Sequence, residues 1–217
     1  MSLRDVERGG KRVFDIVCSA SALLVLAPVL GVTAILVRRK LGRPVLFRQT
    51  RTGRDKQPFT IVKFRTMTDE RDGDGALLPD SERLTPLGRL LRATSLDESP
   101  ELWNVLKGDM SLVGPRPLLP RYDEIYTERE AKRFDVLPGV TGWAQINGRN
   151  DIGWDDRLAC DVWYVEHRSL ALDLRILLLT VLKVLRRSNV QADPDLSVGY
   201  LDEERHQASM PKMGAAR

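Results

Sequence analysis

From Ile16 to Val37 the chain carries 22 consecutive uncharged residues, mostly Ala, Val, Leu and Ile. A helix rises about 1.5 Å per residue, so this run reaches about 33 Å, enough to cross a bilayer core. A secretory signal has a shorter apolar region ending in small residues. This run ends instead in Arg38-Arg39-Lys40. Its length also argues against a soluble core helix. Basic residues flank both ends, Arg4, Arg8, Lys11 and Arg12 before it and Arg38, Arg39, Lys40 and Arg43 after it. Such symmetry favours neither orientation of a simple span. Pro28 lies mid-run, removes a helix hydrogen bond and leaves a carbonyl for the hydroxyl of Ser19, Ser21 or Thr33. The residues fit equally a kinked helix that enters and leaves one leaflet and a spanning helix with a tolerated proline.

Further along, Val45–Gln49 and Phe59–Phe64 read as strands joined by the turn residues Thr52–Pro58, a hairpin. Asp69–Ser81, rich in Asp, Gly and Pro, reads as a mobile loop. Tyr122–Val136 reads as a charged helix ended by Leu137-Pro138-Gly139. Ser169–Arg187 is amphipathic. On a helical wheel Leu174, Leu177, Leu178, Val181, Leu182, Val184 and Leu185 share one half. Asp173, Arg175, Ile176, Leu179, Thr180, Lys183, Arg186 and Arg187 share the other. Such a helix serves a core or lies at a membrane interface. The tryptophans Trp143, Trp154 and Trp163 suit either place. The pattern divides into residues 1–40 (basic flank and membrane helix), 41–190 (the main domain) and 191–217 (a loose C-terminal tail).

Charge changes the picture at two places. From Arg38 to Lys56 there are eight Lys or Arg residues and one acid, Asp55. A juxtamembrane cluster of this kind attracts anionic lipid. It also suits a phosphorylated substrate. The four tryptophans all lie far downstream of this ribbon, without the aromatic interleaving that nucleic-acid binding needs, so no nucleic-acid partner is expected. The second place is Ser95-Leu96-Asp97-Glu98-Ser99-Pro100-Glu101. Ser95 and Glu98 have the spacing of a capping box, a complete structural account of the acids. Shortly after come Gly114-Pro115-Arg116-Pro117, whose two prolines present one guanidinium on a stiff loop. Carboxylates beside a fixed arginine suit phosphoryl chemistry, holding a hard cation or attacking phosphorus. Composition adds exclusions. The 217 residues are 42% hydrophobic and 29% charged, with a net charge of +4, which excludes a disordered or polytopic chain. Cys18 and Cys160, the only cysteines, cannot make a zinc site alone, His167 and His206 are the only histidines, and a disulfide framework is excluded.

Taken together, Ser95–Glu98 and Leu102–Pro117 resemble the bacterial sugar transferase family. The resemblance continues in Lys11–Asp15, Lys63–Met67 and Pro138–Asn150 and covers residues 11–188. It is closest to the small monotopic phosphoglycosyl transferases, the type that begins N-linked glycan synthesis in Campylobacter. The implied fold is α+β and mostly helical. It has an N-terminal re-entrant membrane helix kinked at Pro28, a short β-hairpin, and interfacial amphipathic helices around a cytosolic catalytic core. The family's usual Ser-Pro pair is Ala27-Pro28 here.

The resemblance implies a reaction between a UDP-sugar and polyprenyl (undecaprenyl) phosphate at the cytoplasmic face of a bacterial inner membrane. Asp97 falls on the nucleophile that forms a covalent phosphosugar and expels UMP, with Mg2+ as cofactor and Asp97 as its ligand. Glu98 completes the dyad, with a role in activating the acceptor phosphate. Lys63, Arg92, Arg116 and Arg149 fall on basic motif positions suited to phosphate or nucleotide. Asp161 and Asp173 match recurrent acidic positions to which the resemblance gives no role. A second copy of the chain, forming a homodimer, is a further expected partner. The rival reading is an inactive membrane-anchored scaffold of glycan assembly, against which the intact Asp97, Glu98 and Arg116 argue.

Overall fold

A computed structural model of the chain describes residues 3–147, 153–185 and 200–209. Helix α1 (Leu3–Lys40) runs unbroken through Pro28 and ends in Arg38, Arg39 and Lys40, cations suited to its carbonyl terminus. Two patches far apart along α1 join it to the rest of the protein. Phe14, Cys18, Ala22 and Leu23 pack on the main core, and Leu30, Ala34 and Val37 pack with Phe64 and Leu91. Leu24, Val25 and Val32 are exposed. Among the described residues the buried Ser19 hydroxyl has no hydrogen-bond partner, so it does not serve the carbonyl freed by Pro28.

Strands β1 (Leu46–Thr52) and β2 (Pro58–Phe64) form the expected antiparallel hairpin, with Leu46 opposite Phe64 and Thr52 opposite Pro58. Short helices follow: α2 (Asp80–Arg83), α3 (Pro86–Ala93) and α4 (Glu101–Lys107). Thr85 caps α3 by accepting from the Gly88 amide. Gly108, at φ 97°, closes α4 in the left-handed conformation that glycine adopts freely. Strand β3 (Ser111–Val113) then pairs in parallel with β4 (Gly139–Thr141). The chain finishes through α6 (Trp143–Asn147), α7 (Trp154–His167), α8 (Leu170–Leu185) and α9 (Leu201–Ser209). Between β3 and β4 lies α5 (Glu128–Ala131). The architecture is the mostly helical α+β class that the sequence implies. The main core joins Ile61 of β2, Leu102 and Val105 of α4, Leu112 and Val113 of β3, Tyr164 of α7 and Ile176 of α8.

Four local expectations are corrected. Ser95 and Glu98 do not form a capping box: Ser95 has φ 55°, and α4 begins only at Glu101 behind Pro100. The single helix expected over Tyr122–Val136 is broken into the 3-10 turn Pro120–Tyr122, α5 and the 3-10 turn Lys132–Asp135. Here the capping box is Thr127 with Glu130, which starts a helix too late for the predicted one. In α8 the face turned to the protein carries Asp173 and Ile176, while Leu174, Leu178, Val181 and Leu182 are exposed. The wheel assigned sides by hydropathy, but Asp173 is drawn inward by ionic and hydroxyl partners. Finally, part of the C-terminal tail is docked. Leu201 of α9 is fully buried with Leu118, Tyr122, Trp154 and Leu158, and Arg205 binds Glu130.

Candidate active site

The site forms where β2, the turn before α4 and the stiff arginine loop meet. Lys63 comes from β2, where period-2 alternation turns it to the face opposite the core residue Phe64. The turn residues Asp97 and Glu98 are fixed by local bonds. The Phe64 amide donates to the Asp97 carbonyl at 2.8 Å, and the Glu101 amide donates to the Glu98 carbonyl at 2.9 Å. Glu98 thus reaches across to cations instead of back to Ser95. Its Oε1 accepts from Lys63 Nζ at 2.7 Å and from Arg116 NH2 at 2.8 Å. Lys63 Nζ also lies 3.2 Å from Glu101 Oε1. Arg92, on the last turn of α3, donates through Nε to Thr66 Oγ1 at 3.2 Å and adds positive charge near Asp97.

The electrostatics separate the two members of the dyad. Burial pushes the Asp97 carboxyl up, and the Glu98 charge pushes it further, to about 6, against Lys63, Arg92 and Arg116. For Glu98, burial acts upward but Arg116 and Lys63 outweigh it and hold the carboxyl far below its usual range. Burial raises Glu101 to about 7, opposed by Lys63 and helped by Glu98. Burial would lower Lys63, but the two glutamates outweigh it and its pKa rises.

A second set of contacts holds the arginine loop. Arg133 is buried, donates to the Arg116 carbonyl at 2.6 Å and to Asp161 Oδ2 at 2.9 Å, and meets the Tyr126 hydroxyl at 3.1 Å. The loop also rests on bare backbone. A Cβ at Gly139 would come within 2.1 Å of the Gly114 nitrogen, and one at Gly142 within 2.2 Å of the Gly114 oxygen. The motif Pro138–Gly142 is therefore a seat for Gly114–Pro117.

Asp173 works elsewhere. It accepts from Lys11 at 2.6 Å and from the Tyr164 hydroxyl at 2.7 Å, fastening α8 and α7 to α1. Asp15 accepts from the Ser111 hydroxyl at 2.8 Å, and Arg12 donates to the Val105 and Leu106 carbonyls at the end of α4. The Lys11–Asp15 motif is thus a clamp on the core.

Of the predicted site residues, Lys63, Arg92, Asp97, Glu98 and Arg116 are brought together, while Arg149 lies outside the described residues. Glu101 and Arg133 were missed. The spacing of Glu98 and Glu101 would place both acids on one turn, which is a signal for the first. Nothing local marks Arg133. A hard dication fits the donor set. Magnesium takes one or two carboxylates and completes its shell from phosphate oxygens and water. Asp97 supplies such an oxygen donor beside cations that would hold those phosphates.

The bacterial sugar transferase family model matches residues 6–187. An uncharacterized sugar transferase of Bacillus subtilis, EpsL, is 55% identical over 181 residues, covering 83% of this chain and 90% of that one. A Caulobacter vibrioides UDP-glucose:undecaprenyl-phosphate glucose-1-phosphate transferase is 42% identical, covering 82% of this chain and 71% of the relative. An Escherichia coli protein of the same description is 41% identical, and there the match spans only 41% of the relative. The family match includes the clamp, the hairpin, the acid turn and the arginine loop, and the chain belongs to the bacterial sugar transferase family.

Proposed function

We propose that this protein transfers a sugar 1-phosphate from a UDP-sugar to a polyprenyl phosphate and releases UMP. The observation that carries the reading is the near-buried Asp97 carboxylate set among Lys63, Arg92 and Arg116. A carboxylate becomes an effective nucleophile when cations make phosphorus electrophilic and stabilise the charge that develops. Asp97 Oδ forms a bond to the sugar-proximal phosphorus while the bond to the UMP oxygen breaks. Arg116 and Lys63 neutralise the departing phosphate, Arg92 orients the second one, and Arg149 is a further phosphate contact. A magnesium ion held by Asp97 would supply Lewis-acid polarisation of the diphosphate. A polyprenyl phosphate oxygen then attacks the aspartyl phosphate and frees Asp97. Glu98, kept ionised by two cations, is a weak base in this geometry and anchors Lys63 and Arg116. The naming of relatives supports the same substrates, among them a Salmonella typhimurium undecaprenyl-phosphate galactose phosphotransferase at 40% identity.

The reading includes a re-entrant α1 in the cytoplasmic leaflet. Its start touches the body through Lys11, Arg12 and Phe14, and its end touches the same body through Ala34 and Val37. A helix that spanned the bilayer would put these two patches on opposite faces, where one globular body does not reach both. The exposed leucines of α8 support a helix lying at the interface. The test is a panel of UDP-sugars offered with undecaprenyl phosphate and magnesium, with UMP as readout. UMP release with at least one sugar, and a phosphosugar adduct on Asp97 by mass spectrometry, is the expected result. Silence across the panel favours the scaffold reading instead.

A further inference from the structure

The mechanism above gives Glu101 no part, yet it is a buried acid beside the reacting groups. Its side chain is 2% exposed. Ionised carboxylates are seldom buried unless paired, because desolvation is costly. Its position in the first turn of α4 favours an anion only weakly. The pairing it does have is shared. Lys63 Nζ is 3.2 Å from Glu101 but 2.7 Å from Glu98. Among the described residues Lys63 is the one cation within ion-pair distance of Glu101. Glu98 has a second cation in Arg116 at 2.8 Å. Lys63 of β2, Glu98 of the preceding turn and Arg116 of the proline loop are the charged groups acting on Glu101.

We infer that Glu101 takes up a proton when a nucleotide phosphate claims Lys63, so that substrate binding at this site is coupled to proton uptake. The inference rests on the proposed role of Lys63 as a phosphate contact. As the ammonium turns to the incoming phosphate, Arg116 meets that phosphate with the rest of its guanidinium fork while one nitrogen stays on Glu98, which remains ionised. Glu101 loses its nearest cation while still buried, and an unpaired buried carboxylate neutralises itself. The proton comes from solvent to a Glu101 oxygen, and no other bond changes. Its carboxyl already sits at about 7, so loss of one partner switches it near neutral pH. Glu101 acts through Lys63 and is a positioning residue in this account.

The experiment is calorimetric titration of the full chain in nanodiscs with UDP, at constant magnesium and pH 8. It is repeated in buffers of different ionisation enthalpy. At this pH the nucleotide phosphates and Asp97 are largely ionised, so they contribute little uptake. The wild type should take up a substantial fraction of a proton per UDP, and its affinity should weaken by up to about tenfold per pH unit above neutrality. Glu101→Gln should bind UDP without that uptake or that slope, and Glu101→Asp should restore both. Uptake that persists in Glu101→Gln, or none in the wild type, overturns the inference while leaving the phosphate site standing. Failure of UDP to bind the wild type overturns the phosphate reading and this inference with it. If Glu101→Gln does not fold, Glu101→Asp decides: its uptake should follow a lower pH range than the wild type's, and an unmoved range overturns the inference.

Discussion

Asp97 and Glu98 are adjacent in sequence and differ in what surrounds them. Glu98 is gripped on one oxygen by Lys63 and Arg116, whereas Asp97 is burdened by burial and by the Glu98 charge. In the proposed transfer only ionised Asp97 would attack phosphorus. Its carboxyl is raised to about 6, so kcat/KM should fall as pH drops through about 6. An unperturbed aspartate would place that limb near about 4. A limb at the lower value in the pH profile would show that Asp97 is not desolvated in the working enzyme. Asp97→Asn should remove both transfer and the trapped adduct, because an amide is a poor nucleophile and a poor ligand for a hard dication. Arg133 offers a contrast. It touches no proposed reacting atom but holds the Arg116 carbonyl and Asp161. Arg133→Met strands a buried carboxylate, a change that costs about 3–5 kcal/mol. Lower thermal stability, together with a larger loss in substrate affinity than in kcat, is the expected signature of a loosened arginine loop.

Among the elements, α1 was legible in length and apolarity, because a long uncharged run has few alternatives. Its docking was not legible, since Lys11 and Asp173 are partners far apart in the chain. The hairpin was readable from its turn residues, and β1 simply continues further than expected. The acid turn misled local reasoning. Ser95 and Glu98 satisfy a capping pattern, and only cations from β2 and the proline loop pull Glu98 away from it. The wheel of α8 left open which half faces the core, and Asp173, a buried acid with two partners, decides it against the stripe of leucines. The topology of α1 can be tested directly. In a background lacking Cys18 and Cys160, probes near Arg4 and near Arg43 should both label from the cytoplasmic side. Pro28→Leu restores the missing helix hydrogen bond and should shift part of the N-terminal label to the far side. Labelling of the native N-terminal probe only from the periplasm would make α1 an ordinary span.

At the scale of the whole molecule, the difficulty is that the two proposed substrates belong to different solvents. A UDP-sugar is soluble, and a polyprenyl phosphate is held in the bilayer. The fold exposes Leu24, Val25 and Val32 on α1 and Leu178 and Val181 on α8, while the acid turn is braced within the body by the hairpin and α4. A surface of this kind suits membrane association, and in the proposed function it would hold the protein at the bilayer while the site meets phosphates. A covalent intermediate would let one cluster of cations serve both substrates in turn, because UMP leaves before the lipid arrives. The consequence is kinetic. Mixing the full chain with its UDP-sugar and magnesium, without acceptor, should give a burst of UMP close to the enzyme concentration. Adding polyprenyl phosphate should then restart UMP release, and initial-rate plots should be parallel, as ping-pong transfer requires. Slow hydrolysis of the adduct would let UMP creep upward after the burst, so the adduct itself is followed by mass. Its appearance should match the burst in amplitude, and Asp97→Asn should show neither. If every UMP released requires acceptor and no adduct forms, the transfer is direct. Asp97 would then be a metal ligand alone, and the cations would have to hold both substrates together.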